Sequence, residues 1–248
     1  MFEKFQSRST ATEIMDDLTL EGQILDEALI NLERVNTWLG GNLVLVSGFR
    51  EILNSHLIRN VLQEYRAQDR PLVVADAGCG GGDGLRAMAC ATRKAQIKAE
   101  FIGLDANAYT VDFARARTSA YPEIKFVQQD ILSETCSWEG VDILYCSLFL
   151  HHFTDEEQLE LMQKCFRQGV KAILINDLQR HWLPYYLFHL ICFIFRAPAM
   201  TKEDGCLSIL KGFRREDLER LMQKAGFQHF KISWRWAFRY QLIIYNQS

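Results

Sequence analysis

The chain has 248 residues, 48% of them hydrophobic, and its 28 basic and 31 acidic side chains give a formal charge of −3. That is enough for one substantial core, with no repeat or low-complexity linker to divide it, and the near balance of charge gives no general electrostatic reason to expect a nucleic-acid partner. Seven cysteines, odd in number and without a Cys-x-x-Cys pair, argue against a disulfide framework and a zinc site, and the apolar-poor start MFEKFQSRSTATEIMDD makes a reducing cytoplasm the expected compartment.

In chain order, Glu21 to Trp38 predicts an amphipathic helix with Ile24, Leu25, Ala28, Leu29, Leu32, Val35 and Trp38 on one side, stopped by Gly40-Gly41. A second helix is expected over Phe49 to Arg66. Leu72 to Ala75 then form a short, wholly apolar strand of the kind buried on both faces of a parallel sheet. It ends in Asp76 and runs through Gly78, Gly80, Gly81 and Gly82 into a helix. A dinucleotide fingerprint counted from Gly78 would need its third glycine where Asp83 stands, and a carboxylate there repels phosphate. The later register Gly82, Gly84, Ala87 begins well past the strand end.

Further strands follow. Phe101 to Asp105 ends in an acid at the distance from the glycine loop that suits a ribose diol. Ile124 to Val127 leads through Gln128 and Gln129 to Asp130, and Val141 to Cys146 leads to Ser147-Leu-Phe-Leu-His151-His152-Phe153. A helix capped by Thr154 comes next. Asp142, near the start of its strand, is the structural exception among these acids, because ligands of open α/β sheets bind at the carboxyl ends.

The pattern strand-Asp76-Ala-Gly78-Cys-Gly80-Gly-Gly82 resembles the first motif of the class I S-adenosylmethionine-dependent methyltransferases, whose ligand carries a sulfonium and an ammonium. An acidic strand end suits such a cation. The resemblance implies an α/β, Rossmann-like seven-stranded sheet with helices on both faces. Residues 1–70 would be an N-terminal helical cap and 71–248 the core, with 178–211 a lid inserted after the fifth strand. It also implies S-adenosyl-L-methionine held by Asp76, Gly78, Gly80, Gly82, Asp105 (ribose), Ala106, Asp130 (adenine amine), Ile131 and Cys146. Cys79 is then a small residue packed beside the cofactor.

Lys171 to Ile175 is the fifth strand, followed by Asn176, Asp177 and Arg180. His181 to Phe195 is the most apolar segment of the chain, too short to span a membrane and broken by Pro184 and His189. It is read as an aromatic-rich cover over an apolar substrate, with core packing or peripheral membrane contact as the other readings. A helix over Arg214 to Ala225 and strands over Gln228 to Trp234 and Phe238 to Tyr245 close the chain. This ending is similar to the ubiquinone and menaquinone biosynthesis type. Val35-Asn-Thr-Trp-Leu-Gly-Gly41 and Asn176-Asp177-Leu178 also look like methyltransferases of type III polyketide and phenolic-lipid pathways.

The expected function is methyl transfer to an apolar aromatic small molecule, phenolic, quinone-like or polyketide-derived, with oxygen favoured over carbon. A phenol titrates near 10, so a base helps, and His151, His152 and then Asp177 are best placed. An NAD(P)-dependent Rossmann oxidoreductase, disfavoured by Asp83, and a cofactor-binding, non-catalytic partner protein are the alternatives. A homodimer is left open.

Overall fold

The computed structural model describes residues 3–194 and 196–246; Phe195, inside the apolar stretch, lies outside them. Among the described residues a seven-stranded sheet has the order β3-β2-β1-β4-β5-β7-β6. Its strands are β1 Leu72–Ala77, β2 Ala99–Asp105, β3 Ile124–Gln128, β4 Ile143–Ser147, β5 Ala172–Leu178, β6 Phe230–Arg235 and β7 Arg239–Tyr245. The first five run parallel, and β7 enters antiparallel between β5 and β6. The order reverses at β1 and β4, which opens a crevice at their carboxyl ends.

Apolar layers cover both faces, as a parallel sheet requires. On one face α6 (Asp155–Arg167) and α9 (Arg215–Ala225) bring Leu161, Met162, Leu218 and Met222 onto Leu144, Ile173 and Leu242. On the other, α2 (Gly41–Leu53), α4 (Asp83–Lys94) and α5 (Ala108–Arg117) bring Phe49, Met88 and Val111 onto Val74, Phe101 and Leu174. Gly48 lets α2 lie this close, since a Cβ there would stand 2.7 Å from Leu174 Cδ1 and 2.5 Å from Gln241 Nε2.

The helix expected over Phe49 to Arg66 is two. The first, α2, begins at Gly41 and stops at Leu53. After Asn54, the Ser55 hydroxyl accepts from Ile58 N at 3.3 Å and starts α3, His56–Ala67. A serine cap satisfies an end amide that a continuous helix would have paired with a carbonyl. Asp142 is structural, as expected: it accepts from Tyr65 Oη at 2.5 Å and from Val73 N at 2.9 Å at the far edge of the sheet.

Around the crevice stand α1 (Gln23–Trp38), the pair α7 (Trp182–Ile194) and α8 (Ala199–Lys211), and an irregular strap formed by residues 3–20. The strap is pinned by long-range bonds. Arg8 donates to the carbonyls of His151 and Phe153, each at 2.8 Å, and Asp204 accepts from Ile14 N at 2.7 Å and Met15 N at 3.0 Å. Asn107 Nδ2 donates to the carbonyls of Leu18 and Leu20.

Candidate active site

A cavity of about 750 Å³ lies over the carboxyl ends of β1, β2, β4 and β5, walled by the glycine loop, α1, the strap, α7–α8 and the β6–β7 turn. At its loop end the chain turns through Gly78, Gly80 and Gly82, all at positive φ. A Cβ on Gly78 would meet the Phe149 ring at 2.3 Å, so glycine there is required both by conformation and by contact.

Carboxylates crowd this end. Asp105 accepts from Gly80 N at 3.2 Å and from Asn107 N at 3.0 Å, which ties the second strand to the loop. Asp76 is buried with Oδ1 unpartnered, and Asp83 Oδ2 is unpartnered too. Burial first, then its acidic neighbours Asp83 and Asp105, pushes the Asp76 carboxyl well up; burial also raises Asp83 and Asp105. Such a set is unfinished without a cation. The buried guanidinium of Arg239 also lines the cavity; it donates to Asn36 Oδ1 at 3.1 Å and leaves Nε and Nη1 unpartnered, a complement for a carboxylate. A ligand carrying both an ammonium or sulfonium and a carboxylate fits these orphaned groups.

Of the expected cofactor residues, Asp76, Gly78, Gly80, Asp105, Ala106, Asp130 and Ile131 line the cavity together. Two do not. Gly82 turns the loop into α4 and packs on Phe126, where a Cβ would stand 2.8 Å from the ring. Cys146 is buried among Ala75, Ala77 and Leu144. Successive strand residues face opposite ways, so Tyr145 and Ser147, on either side of it, reach the cavity instead.

The far end of the cavity is built around the 3-10 turn Leu150–His152. His151 is enclosed, its side chain 1% exposed, with Nδ1 donating to Asp177 Oδ1 at 2.7 Å. Asp177 does not reach the cavity; it stands behind the imidazole and also accepts from His151 N at 3.1 Å. His152, 17% exposed, has Nδ1 at 2.7 Å from Asp16 Oδ1. Glu13, buried, places Oε1 3.6 Å from His151 Nε2 and Oε2 3.9 Å from His152 Nε2, and Lys211 Nζ lies 3.4 Å from Glu13 and 3.2 Å from Asp16. Sequence reasoning missed Glu13, Asp16, Lys211 and Arg239. Only the acids of Glu13-x-x-Asp16 before the first helix were there to notice.

Glu13, His151 and His152 offer three ligand-type atoms within 4.8 Å of one another. The rings are stacked, with centroids 4.4 Å apart and 29° between planes, so their lone pairs run side by side rather than converge, and the Lys211 ammonium already faces Glu13. The set is a charge network rather than a metal site.

Burial opposes ionisation of Glu13, Asp16 and Asp177, but hydrogen bonds and charge from the histidines outweigh it and hold all three carboxyls below their usual range, with Lys211 helping Glu13 and Asp16. Burial would likewise lower His151, yet Asp177 and then Glu13 push it up to about 9. A raised histidine contributes stability that is complete below its unfolded value near 6.5 and is lost as pH rises through the folded value. The melting temperature is therefore expected to fall between pH 6.5 and about 9, and His151→Asn to flatten that slope; an unchanged slope in the variant would assign it elsewhere.

Backbone strain collects at the same cavity: Leu148, Ala237 and Phe238 are non-glycine residues at positive φ, and all three line it. The apolar roof comes from α7 and α8, through Pro184, Leu187, Phe188, Ile191 and Ile209.

Residues 74–169 match a family described as methyltransferase domain. Similar solved structures include the CMeT domain of the citrinin polyketide synthase (17% identity, 71% of this chain and 47% of that one, TM-score 0.54). Others are the plantazolicin methyltransferase in complex with SAH (13%, 91% and 100%, TM-score 0.54) and a SAM dependent methyltransferase from Aquifex aeolicus (12%, 81% and 98%, TM-score 0.51). At these identities the likeness is one of fold. The chain spans about half the length of the citrinin synthase chain. A search of curated proteins found no match.

Proposed function

We propose that this class I S-adenosylmethionine-dependent methyltransferase, whose methyltransferase domain covers residues 74–169, methylates an oxygen of a hydrophobic phenolic, quinone-like or polyketide-derived small molecule. The observation that carries this reading is an imidazole, His152, opening into an apolar-roofed cavity with a carboxylate behind it.

When bound, S-adenosylmethionine supplies an electrophilic methyl group on a sulfonium. Asp105 would hold its ribose and Asp130, with Ile131 beside it, the adenine edge; Asp76 and the Gly78–Gly80 backbone would receive its cationic end, and Arg239 its carboxylate. The protein's remaining tasks are to align the acceptor, exclude water and take a proton. His152 Nε2 accepts the hydroxyl proton of the phenol, while the carboxylates of Asp16, 2.7 Å from Nδ1, and of Glu13 stabilise the imidazolium. Asp177 and His151 act through position: they fix the turn and hold Glu13 in place. The α7–α8 insertion serves as the lid over the acceptor and residues 1–70 as the cap, in a reducing cytoplasm.

The test is calorimetry with S-adenosylhomocysteine, NAD and NADP, followed by turnover on alkyl-tailed phenols and hydroxyquinones with products resolved by mass spectrometry. Binding of the homocysteine product alone and an O-methyl ether are expected. Tight binding with no turnover on any acceptor would favour the non-catalytic alternative, and a carbon-methylated product would overturn the oxygen assignment.

A further inference from the structure

The outer side of α7 carries no Asp, Glu, Lys or Arg, and half-buried His189 stands at its edge. Trp182, Tyr186, Leu187, Leu190, Ile191, Phe193 and Ile194 are all exposed, Leu190 by 52%, Phe193 by 79% and Ile194 by 61%. At 100° per residue, their positions fall within one half of the helix circumference, while Pro184 and Cys192 are buried on the other half. A soluble helix shows the reverse arrangement, with charges on the solvent side. An apolar stripe of this size on a surface marks a contact site.

The surrounding charge says what covers it. Acids make up 31 of 248 residues, one in eight, yet none occurs in the 22 residues from His181 to Lys202, which include Arg196 and Lys202. Lys4, exposed, adds a third cation, its Nζ 3.7 Å from the centre of the Tyr185 ring. Outside the run, Asp177 and Asp204 are buried, while Glu3 and Glu203, exposed, adjoin Lys4 and Lys202 and leave Arg196 without an acid beside it in sequence. Trp182, Tyr185 and Tyr186 gather at one end of the helix, and Leu190, Phe193 and Ile194 at the other. Amphipathic rings beside an aliphatic face, bordered by cations, are what an anionic bilayer surface receives. No helix among the described residues is long and apolar enough to cross a membrane.

We infer that α7 docks in the plane of a phospholipid surface containing anionic lipid, its exposed apolar face sunk into the headgroup boundary and Lys4, Arg196 and Lys202 against the phosphates. Leu187 and Ile191 are exposed on that face and also line the cavity. The docked helix therefore puts the cavity wall beside the lipid. If the acceptor is apolar, as proposed above, it can enter from the bilayer without crossing water. Docking itself does not depend on that reading.

The experiment is sedimentation of the full chain with vesicles of phosphatidylcholine alone and of phosphatidylcholine with phosphatidylglycerol. Most of the protein is expected to pellet with the mixed vesicles and less with the neutral ones. Phe193→Asp and Leu190→Asp should each lower the bound-to-free ratio by about tenfold or more. Both positions are exposed, and unchanged affinity for S-adenosylhomocysteine shows that the variants remain folded. Brominated lipids in the mixed vesicles should quench tryptophan emission in the native chain and not in Trp182→Phe. Protein that stays in the supernatant with both vesicles overturns the proposal. So does light scattering that shows a dimer dissolved by Phe193→Asp in the absence of vesicle binding, since the face would then belong to a second copy. Vesicle binding without methyl transfer would leave the docking intact and remove only the acceptor.

Discussion

Asp105→Ala is expected to weaken S-adenosylhomocysteine binding by roughly a hundredfold, the loss of about two charge-assisted hydrogen bonds, while turnover at saturating donor changes little. The carboxylate stands at the end of β2, lines the cavity and already accepts two backbone amides, Gly80 N at 3.2 Å and Asn107 N at 3.0 Å. Each oxygen has a second lone pair directed elsewhere, and two oxygens side by side match the two hydroxyls of a ribose. Because Gly80 N is one of its partners, the substitution also loosens the glycine loop, which adds to the loss. Asp105→Asn keeps one acceptor oxygen and should fall between. Asp130→Ala, at an exposed carboxylate, should cost only about tenfold, since a hydrogen bond open to water contributes little net. Equal affinity in native protein and Asp105→Ala would remove the ribose assignment.

What could be read from the sequence was local. The strand-acid-glycine order around Asp76 and the acids ending β2 and following β3 depend on neighbours a few residues apart, and the crevice at their carboxyl ends follows from topology. Which side of a buried strand faces the ligand does not follow, because β4 is apolar on both faces and carries no alternation. The sequence therefore points to Cys146, whereas Tyr145 and Ser147 are the residues that reach the cavity. The break between α2 and α3 rested on a single hydroxyl, Ser55, inside a stretch of helical periodicity. The strap was the least legible part. Arg8, Glu13 and Asp16 sit in a segment with neither helical nor strand period, and their partners lie 136 to 203 residues away: Arg8 bonds the carbonyls of His151, Phe153 and Lys211, Asp16 meets His152, and Glu13 meets Ser208 and Lys211. Arg239 was hidden for the same reason, as one cation among many until β7 places it over the cavity.

The strap raises the stakes of the second large prediction, because it makes the base a joint product of two distant segments. His152→Ala should lower turnover by about a hundred- to ten-thousandfold, the usual span for a general base, and leave S-adenosylhomocysteine affinity within about twofold. Asp16→Asn keeps the shape but removes the charge 2.7 Å from Nδ1, so the imidazolium is less stabilised and turnover should drop by roughly tenfold or more. Glu13→Gln distinguishes proton handling from mere support. If Glu13 only braced the strap, the amide would preserve kcat and its pH profile. If it stabilises the charge that His152 gains in the transition state, kcat falls. The KM for a phenol should hardly change in any of the three. A chemically more acidic phenol, already ionised at the assay pH, needs no base and should restore most of the rate to His152→Ala. Full activity of both His151→Ala and His152→Ala on a neutral phenol would rule the turn out as the proton acceptor, whereas loss in His151→Ala accompanied by a lowered melting temperature fits its buried pairing with Asp177.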